Sequence, residues 1–220
     1  MTNGFFITGS DTGVGKTFVT ASLARALKEN GLSIGVMKPV ETGCGSDAIT
    51  LKEASQTHAH IDLVNPYRFK EPLAPNIAAR LNDIKIDLAG IRTTFDELAK
   101  THDMMLVEGA GGLLCPLTDY ETMADLAVLL NLPLIIVSAS RTGAINHTLL
   151  TVRYADTRAM DIKGIILNQP GPSADEGMSF NYSEIKRFTG LPILGEVRYA
   201  PDGKADRDAM RQLAKKLLLG

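Results

Sequence analysis

The sequence predicts a doubly wound α/β fold: a mostly parallel sheet with helices on both faces. Three observations predict it. Short apolar runs alternate with stretches of helical spacing along the whole chain. Residues 134–137 and 165–167 are apolar without interruption, as strands covered on both faces must be. A glycine-rich segment, residues 9–17, joins the first apolar run to the first helical stretch, where the backbone of such folds cradles anions.

Taken in order, residues 5–8 read as a buried strand. Residues 16–30 carry Val19, Leu23, Ala26 and Leu27 at helical spacing, and Gly31 closes that helix. Residues 33–40 read as the second strand; 103–107, 132–138, 162–167 and 193–197 follow. Helical patterns lie between and after them at about 88–100, 122–130, 145–159, 181–189 and 205–218. Residues 65–75 contain Pro66, Pro72 and Pro75 and read as an extended surface connection, and residues 169–177 read as a loop. Neither is long enough to link independent domains, so residues 1–220 read as one domain.

Bulk properties narrow the function classes. A formal charge of −2 over 220 residues gives no electrostatic case for nucleic acid or an anionic membrane. Arg207, Arg211, Lys215 and Lys216 fall at helical spacing and read as a solvated helix face. Cys44 and Cys115 match no zinc spacing and read as buried or incidental thiols. With no export signal and no spanning apolar stretch, a cytoplasmic setting is expected.

Five stations carry the chemistry. In Gly9-Ser10-Asp11-Thr12-Gly13-Val14-Gly15-Lys16-Thr17, one residue more than usual separates the first glycine from Gly-Lys-Thr. The glycines let successive N–H groups curl inward around phosphate, the helix adds its positive end, Lys16 reaches the outer phosphates and the Thr17 hydroxyl suits Mg²⁺. Lys38-Pro39 ends the second strand, on the edge where open α/β sheets bind ligands, although a plain surface lysine fits there too. Asp47 in Ser46-Asp47-Ala48 reads by residue type as helix-capping chemistry; a metal ligand near Thr17 is the competing reading. Glu108, before Gly109-Ala110-Gly111-Gly112, is placed like the strand-end carboxylate that assists Mg²⁺ in phosphate-loop enzymes. Gly143 before Ala144-Ile145-Asn146-His147 marks a helix N-terminus suited to an anion, with a plain cap equally open. Asn168-Gln169 ends a further strand with amides that can both donate to and accept from a purine edge, or simply form a turn.

In this order the stations resemble the dethiobiotin synthetases of biotin biosynthesis. The resemblance adds Asn65-Pro66-Tyr67, Pro116-Leu117 and Leu194-Gly195-Glu196, and spans nearly the whole chain. It implies an ATP-dependent ligase that acts on 7,8-diaminopelargonic acid and CO₂. A carbamate forms on one amine, its oxygen takes the γ-phosphoryl group, and the second amine closes the cyclic urea, releasing ADP and phosphate. By the same resemblance, Thr12, Gly13, Val14, Gly15, Lys16, Thr17 and Phe18 hold the phosphates, and Thr17, Asp47 and Glu108 hold Mg²⁺. Lys16 and Lys38 are catalytic, neutralising the carbamate and the γ-phosphoryl group. Gly109, Ala110 and Gly111 pass the nucleotide, while Thr42 and Gly112 contact the diamine. Gly143, Ala144, Ile145 and Asn146 grip its carboxylate across a homodimer interface. Asn168 and Gln169, with Arg198, Tyr199 and Ala200 nearby, face the adenine.

Two other readings compete. Related phosphate-loop amidoligases usually carry a glutamine-hydrolysing domain with a nucleophilic cysteine, for which this chain has no room. Partition and cell-division ATPases usually carry a second lysine inside the loop; position 11 here is Asp.

Overall fold

The computed structural model describes residues 3–43, 45–172 and 178–219. Cys44 and part of the expected 169–177 loop, residues 173–177, lie outside the described residues. Six parallel strands form the main sheet, in the order β2-β5-β1-β6-β7-β8: β1 (Gly4–Gly9), β2 (Ile34–Met37), β5 (Met104–Gly112), β6 (Leu134–Ala139), β7 (Ile162–Asn168) and β8 (Ile193–Val197). The chain passes from β1 to the edge strand β2, returns to β5 between them, and then runs outward on the other side of β1 through β6, β7 and β8. The order therefore reverses at β1, and the crevice at the carboxyl ends of β1 and its neighbours is where such sheets bind ligands.

Strand periodicity builds the two layers. Along β5, Met104 and Leu106 face one core while Met105 and Val107 face the other; along β1, Phe5 and Ile7 oppose Phe6. On the first face lie α1 (Lys16–Glu29), α2 (Asp47–Ser55) and α9 (Arg207–Leu219), which bury Leu23, Leu27, Leu51, Leu213 and Leu217. On the second lie α5 (Leu88–Ala99), α6 (Met123–Leu130), α7 (Ala144–Thr157) and α8 (Met178–Thr189), with Phe95, Leu126, Val152 and Ile185 inward. None of the described helices is long and apolar enough to cross a membrane.

Between β2 and α5 the structure departs from expectation. The expected strand 33–40 breaks at Lys38-Pro39, and the chain resumes as β3 (Val40–Thr42), which pairs in parallel with β4 (Tyr67–Phe69) in a separate two-stranded sheet. Proline has no N–H for a ladder, so the main sheet ends there. The expected surface connection at 65–75 instead contributes β4, and its Asn65 is fully buried, donating from Nδ2 to Lys38 O at 2.6 Å. Three helices were not foreseen as elements: α2, of which only the capping chemistry was legible, α3 (Ile61–Val64) and α4 (Pro75–Leu81). β5 also runs on through Gly112, so residues 109–112 are strand rather than loop.

Candidate functional site

The phosphate loop leaves β1 at the reversal point of the sheet and enters α1 at Lys16. Gly13 and Gly15 have φ of 72° and 87°, a backbone region that side chains disfavour. At Gly15 a side chain is excluded twice over, because a Cβ would lie 2.1 Å from Asn168 Nδ2. That amide donates to Val14 O at 2.8 Å and ties the end of β7 to the loop. The N–H groups of Lys16, Thr17 and Phe18 belong to the first turn of α1, which has no intrahelical acceptors to offer them.

Beside the loop stands a cluster of charges. Glu108, fully buried at the middle of β5, accepts at Oε1 from the Thr17 hydroxyl at 2.8 Å and from Lys38 Nζ at 2.5 Å. Lys38 Nζ also donates to Asp47 Oδ2 at 2.8 Å. Lys38 is itself buried, with its backbone held on both sides: its N–H donates to Val64 O and its carbonyl accepts from Asn65. Burial works against its charge, but the Glu108 and Asp47 carboxylates outweigh burial and hold the ammonium above its ordinary range. For Asp47, burial raises the carboxyl and Lys38 more than reverses it, so the group sits below its usual value. Lys16 is pushed down, first by burial and then by the neighbouring Lys38 charge.

The donors fit a magnesium ion. Glu108 Oε2 is buried without a hydrogen-bond partner, which is costly for a carboxylate oxygen unless something else binds it. Two carboxylates and one hydroxyl are hard oxygen donors, and Mg²⁺ takes few such protein ligands because it keeps water and phosphate oxygens.

The remaining expected residues fall into two groups. Asn168 and Val197 are register partners at the ends of β7 and β8, with Gln169 N–H donating to Val197 O, so both strands deliver their following residues, Gln169 and 198–200, from the same edge of the sheet. Asn168 Oδ1 is buried and unpartnered, an acceptor left over beside the phosphate loop. On the other flank, a cleft of about 410 Å³ is lined by Asp11 and Thr12 of the loop, Gly111 and Gly112 at the end of β5, Cys115 just after it, and His147 of α7. Gly143, at φ 88°, caps the start of α7 (Ala144–Thr157), and Arg141 and His147 approach the Asp11 carboxylate at 3.8 and 3.6 Å. Burial pushes the Cys115 thiol up. Thr42 ends β3 and pairs in register with Phe69; no hydrogen bond or ion pair joins it to the charge cluster among the described residues.

Two contributors escaped the sequence reading. Asn65 clamps Lys38 through a contact between segments far apart in sequence, which no local signal announces. Glu41 binds the start of α2 from six residues upstream, whereas capping signals are read one to three residues from the helix.

A family profile described as an AAA domain matches residues 3–207. Among solved structures, the septum site-determining protein MinD complexed with Mg-ADP from Pyrococcus horikoshii is superposable with a TM-score of 0.64 at 18% identity, covering 100% of this chain and 98% of that one. A ParA family ATPase from Chlorobium tepidum gives 0.58 at 17%, covering 99% and 98%. At such identities these likenesses speak for the fold alone, and with the loop and the family profile that fold is of the P-loop NTPase class. Relatives named ATP-dependent dethiobiotin synthetase BioD are 43% identical in Anaeromyxobacter dehalogenans (90% of this chain, 91% of the relative), 40% in Bacillus subtilis (87% and 85%) and 41% in Methanocaldococcus jannaschii (91% and 96%). The chain belongs to the dethiobiotin synthetase family, and is a ligase.

Proposed function

We propose that the chain, as one domain over residues 1–220, carboxylates 7,8-diaminopelargonic acid with CO₂ and closes the ureido ring at the expense of ATP. The observation that carries this reading is Lys38: a buried ammonium on a rigid strand end, placed between two carboxylates and near enough to Lys16 for the two charges to repel. Binding ATP needs only the phosphate loop. A second fixed cation beside it suits a second anion that must approach the γ-phosphate.

One amine adds to CO₂ and loses a proton, giving a carbamate. A carbamate oxygen attacks the γ-phosphorus, the bond to the bridging oxygen breaks, and ADP leaves. The second amine attacks the carbonyl of the resulting carbamic–phosphoric anhydride, expels phosphate and loses its proton. Lys16 and Lys38 hold the two anions together in the first transfer, which is chiefly positioning and electrostatics. Thr17, Asp47 and Glu108 would hold Mg²⁺, which when bound would offset the charge of the phosphates. The diamine lies in the cleft bounded by Thr12, Gly111 and Gly112, and Thr42 is a further residue that contacts it. Its carboxylate is taken by residues 143–146 at the start of α7, supplied by a partner copy in a homodimer. Gly109, Ala110 and Gly111 line the path between nucleotide and diamine, and Asn168, Gln169, Arg198, Tyr199 and Ala200 receive the adenine. The setting is the cytoplasm, with small molecules as the partners and neither nucleic acid nor membrane. The test is to incubate the protein with diaminopelargonate, bicarbonate, ATP and Mg²⁺ and to look for dethiobiotin by mass. ATP hydrolysis without dethiobiotin removes this reading.

A further inference from the structure

Glu41 has no part in the steps above, yet it is a carboxylate buried to 6% exposure in β3, three residues after Lys38. Both its oxygens are committed to backbone: Oε1 accepts from the Asp47 N–H at 2.8 Å and Oε2 from the Ala48 N–H at 3.2 Å. These are the first two residues of α2. Ser46 stands at the usual capping position but makes no side-chain capping bond. The cap therefore arrives from another element, on the same strand exit that carries Lys38. Space is cleared for it at Gly45, where a Cβ would lie 2.4 Å from Glu41 Oε1.

We infer that Glu41 is a positioning residue for the metal site: by clamping the first turn of α2 to β3, it sets the Asp47 carboxylate beside Lys38 and Glu108. A cap serving the helix alone needs nothing more than the Ser46 hydroxyl one residue away. A buried carboxylate reaching across from β3 fixes the helix relative to the lysine, and so fixes the 2.8 Å spacing of Lys38 and Asp47. Loss of a group that orients a metal ligand typically weakens metal binding about 10- to 100-fold.

This inference rests on the reading of Asp47 as a magnesium ligand, and the experiment separates the two. ADP is titrated calorimetrically into the full-length protein with and without Mg²⁺, and the gain in ADP affinity due to Mg²⁺ is compared among variants, with a thermal melt for each. Glu41→Gln keeps the shape but can accept only one N–H, and is expected to bind metal-free ADP as wild type does while its Mg²⁺ gain falls about tenfold. Gly45→Ala is expected to do the same by displacing the carboxylate. In a Glu41→Ala background the added Gly45→Ala is expected to cost nothing further, because nothing is left to displace. If Asp47→Asn loses the Mg²⁺ gain and Glu41→Gln keeps it, even with a lowered melting temperature, Glu41 is only a cap and the inference is overturned. If Asp47→Asn also keeps the full gain, the metal role of Asp47 falls and the positioning role of Glu41 falls with it.

Discussion

Replacing Lys38 with alanine removes one ammonium and strands two carboxylates. Glu108 is fully buried, its Oε2 has no hydrogen-bond partner, and without Lys38 its Oε1 keeps only the Thr17 hydroxyl. Removing one member of a buried pair typically destabilises by about 3–5 kcal/mol, because the other charge is left uncompensated. The chemical cost is separate. A carbamate approaching the γ-phosphate meets like charge, and at about 4 Å the repulsion is about 4 kcal/mol at an effective dielectric of 20. If Lys38 offsets that term, its loss slows dethiobiotin formation about 10³-fold. ADP affinity should change little, because the phosphate loop retains Lys16. Diaminopelargonate binding measured in the presence of bicarbonate should weaken, since Lys38 is then the cation that meets the carbamate. The assay pairs calorimetric ADP and diaminopelargonate binding with the rate of dethiobiotin formation, measured at a temperature where unfolding curves show the variant folded. Lys38→Arg should restore part of the stability but not the rate, because a planar fork does not replace a compact ammonium. A folded Lys38→Ala protein that forms dethiobiotin at near wild-type rate refutes the reasoning.

Two further outcomes are expected. Lys16 is nearly buried and held below its ordinary value by burial and by Lys38, so its charge opposes folding at neutral pH. Lys16→Met should stabilise the ligand-free protein by about 1 kcal/mol while weakening ATP binding and slowing turnover by about 10²–10³-fold; the stability gain should vanish above the ordinary lysine value of 10.5, where Lys16 is neutral in both folded and unfolded chains, and urea unfolding across pH checks the sign. Asp47 is depressed below 3.8 by Lys38, so its contribution to stability is present above that value and lost as pH falls through its folded value. Wild type should exceed Asp47→Asn in urea unfolding at pH 6 and lose that advantage progressively as pH is lowered below 3.8, and a difference independent of pH removes the Lys38–Asp47 pair from the account.

The elements that were legible in the sequence are those with strong local period. The alternating faces of β1, β5 and β6 follow from uninterrupted apolar runs, and α1, α5 and α9 from apolar stripes. Local chemistry also located the phosphate loop, Lys38 and Glu108, because a loop at a strand end is a contiguous signal. What escaped is non-local. The capture of both sides of Lys38 by Val64 and Asn65 joins distant segments, and the pairing of β3 with β4 joins segments separated by two helices. α4 follows a proline-rich stretch that reads as irregular, although Pro75 at its first turn is a helix-starting residue. Asp47 illustrates how one residue serves two readings: it begins a helix, as its type suggests, and the same helix brings its carboxylate to Lys38.

The central claim is that a carbamate oxygen attacks the γ-phosphate beside Lys16 and Lys38, and the fate of that oxygen tests it most directly. Both oxygens of the carbamate come from CO₂; one leaves with phosphate and the other stays in the urea. With CO₂ freshly enriched in heavy oxygen, together with diaminopelargonate, ATP and Mg²⁺ in ordinary water, mass spectrometry of both products should find one heavy oxygen in the released phosphate for each one retained in dethiobiotin. Labelled dethiobiotin accompanied by unlabelled phosphate contradicts the account, because ATP would then be cleaved by water and not by the carbamate.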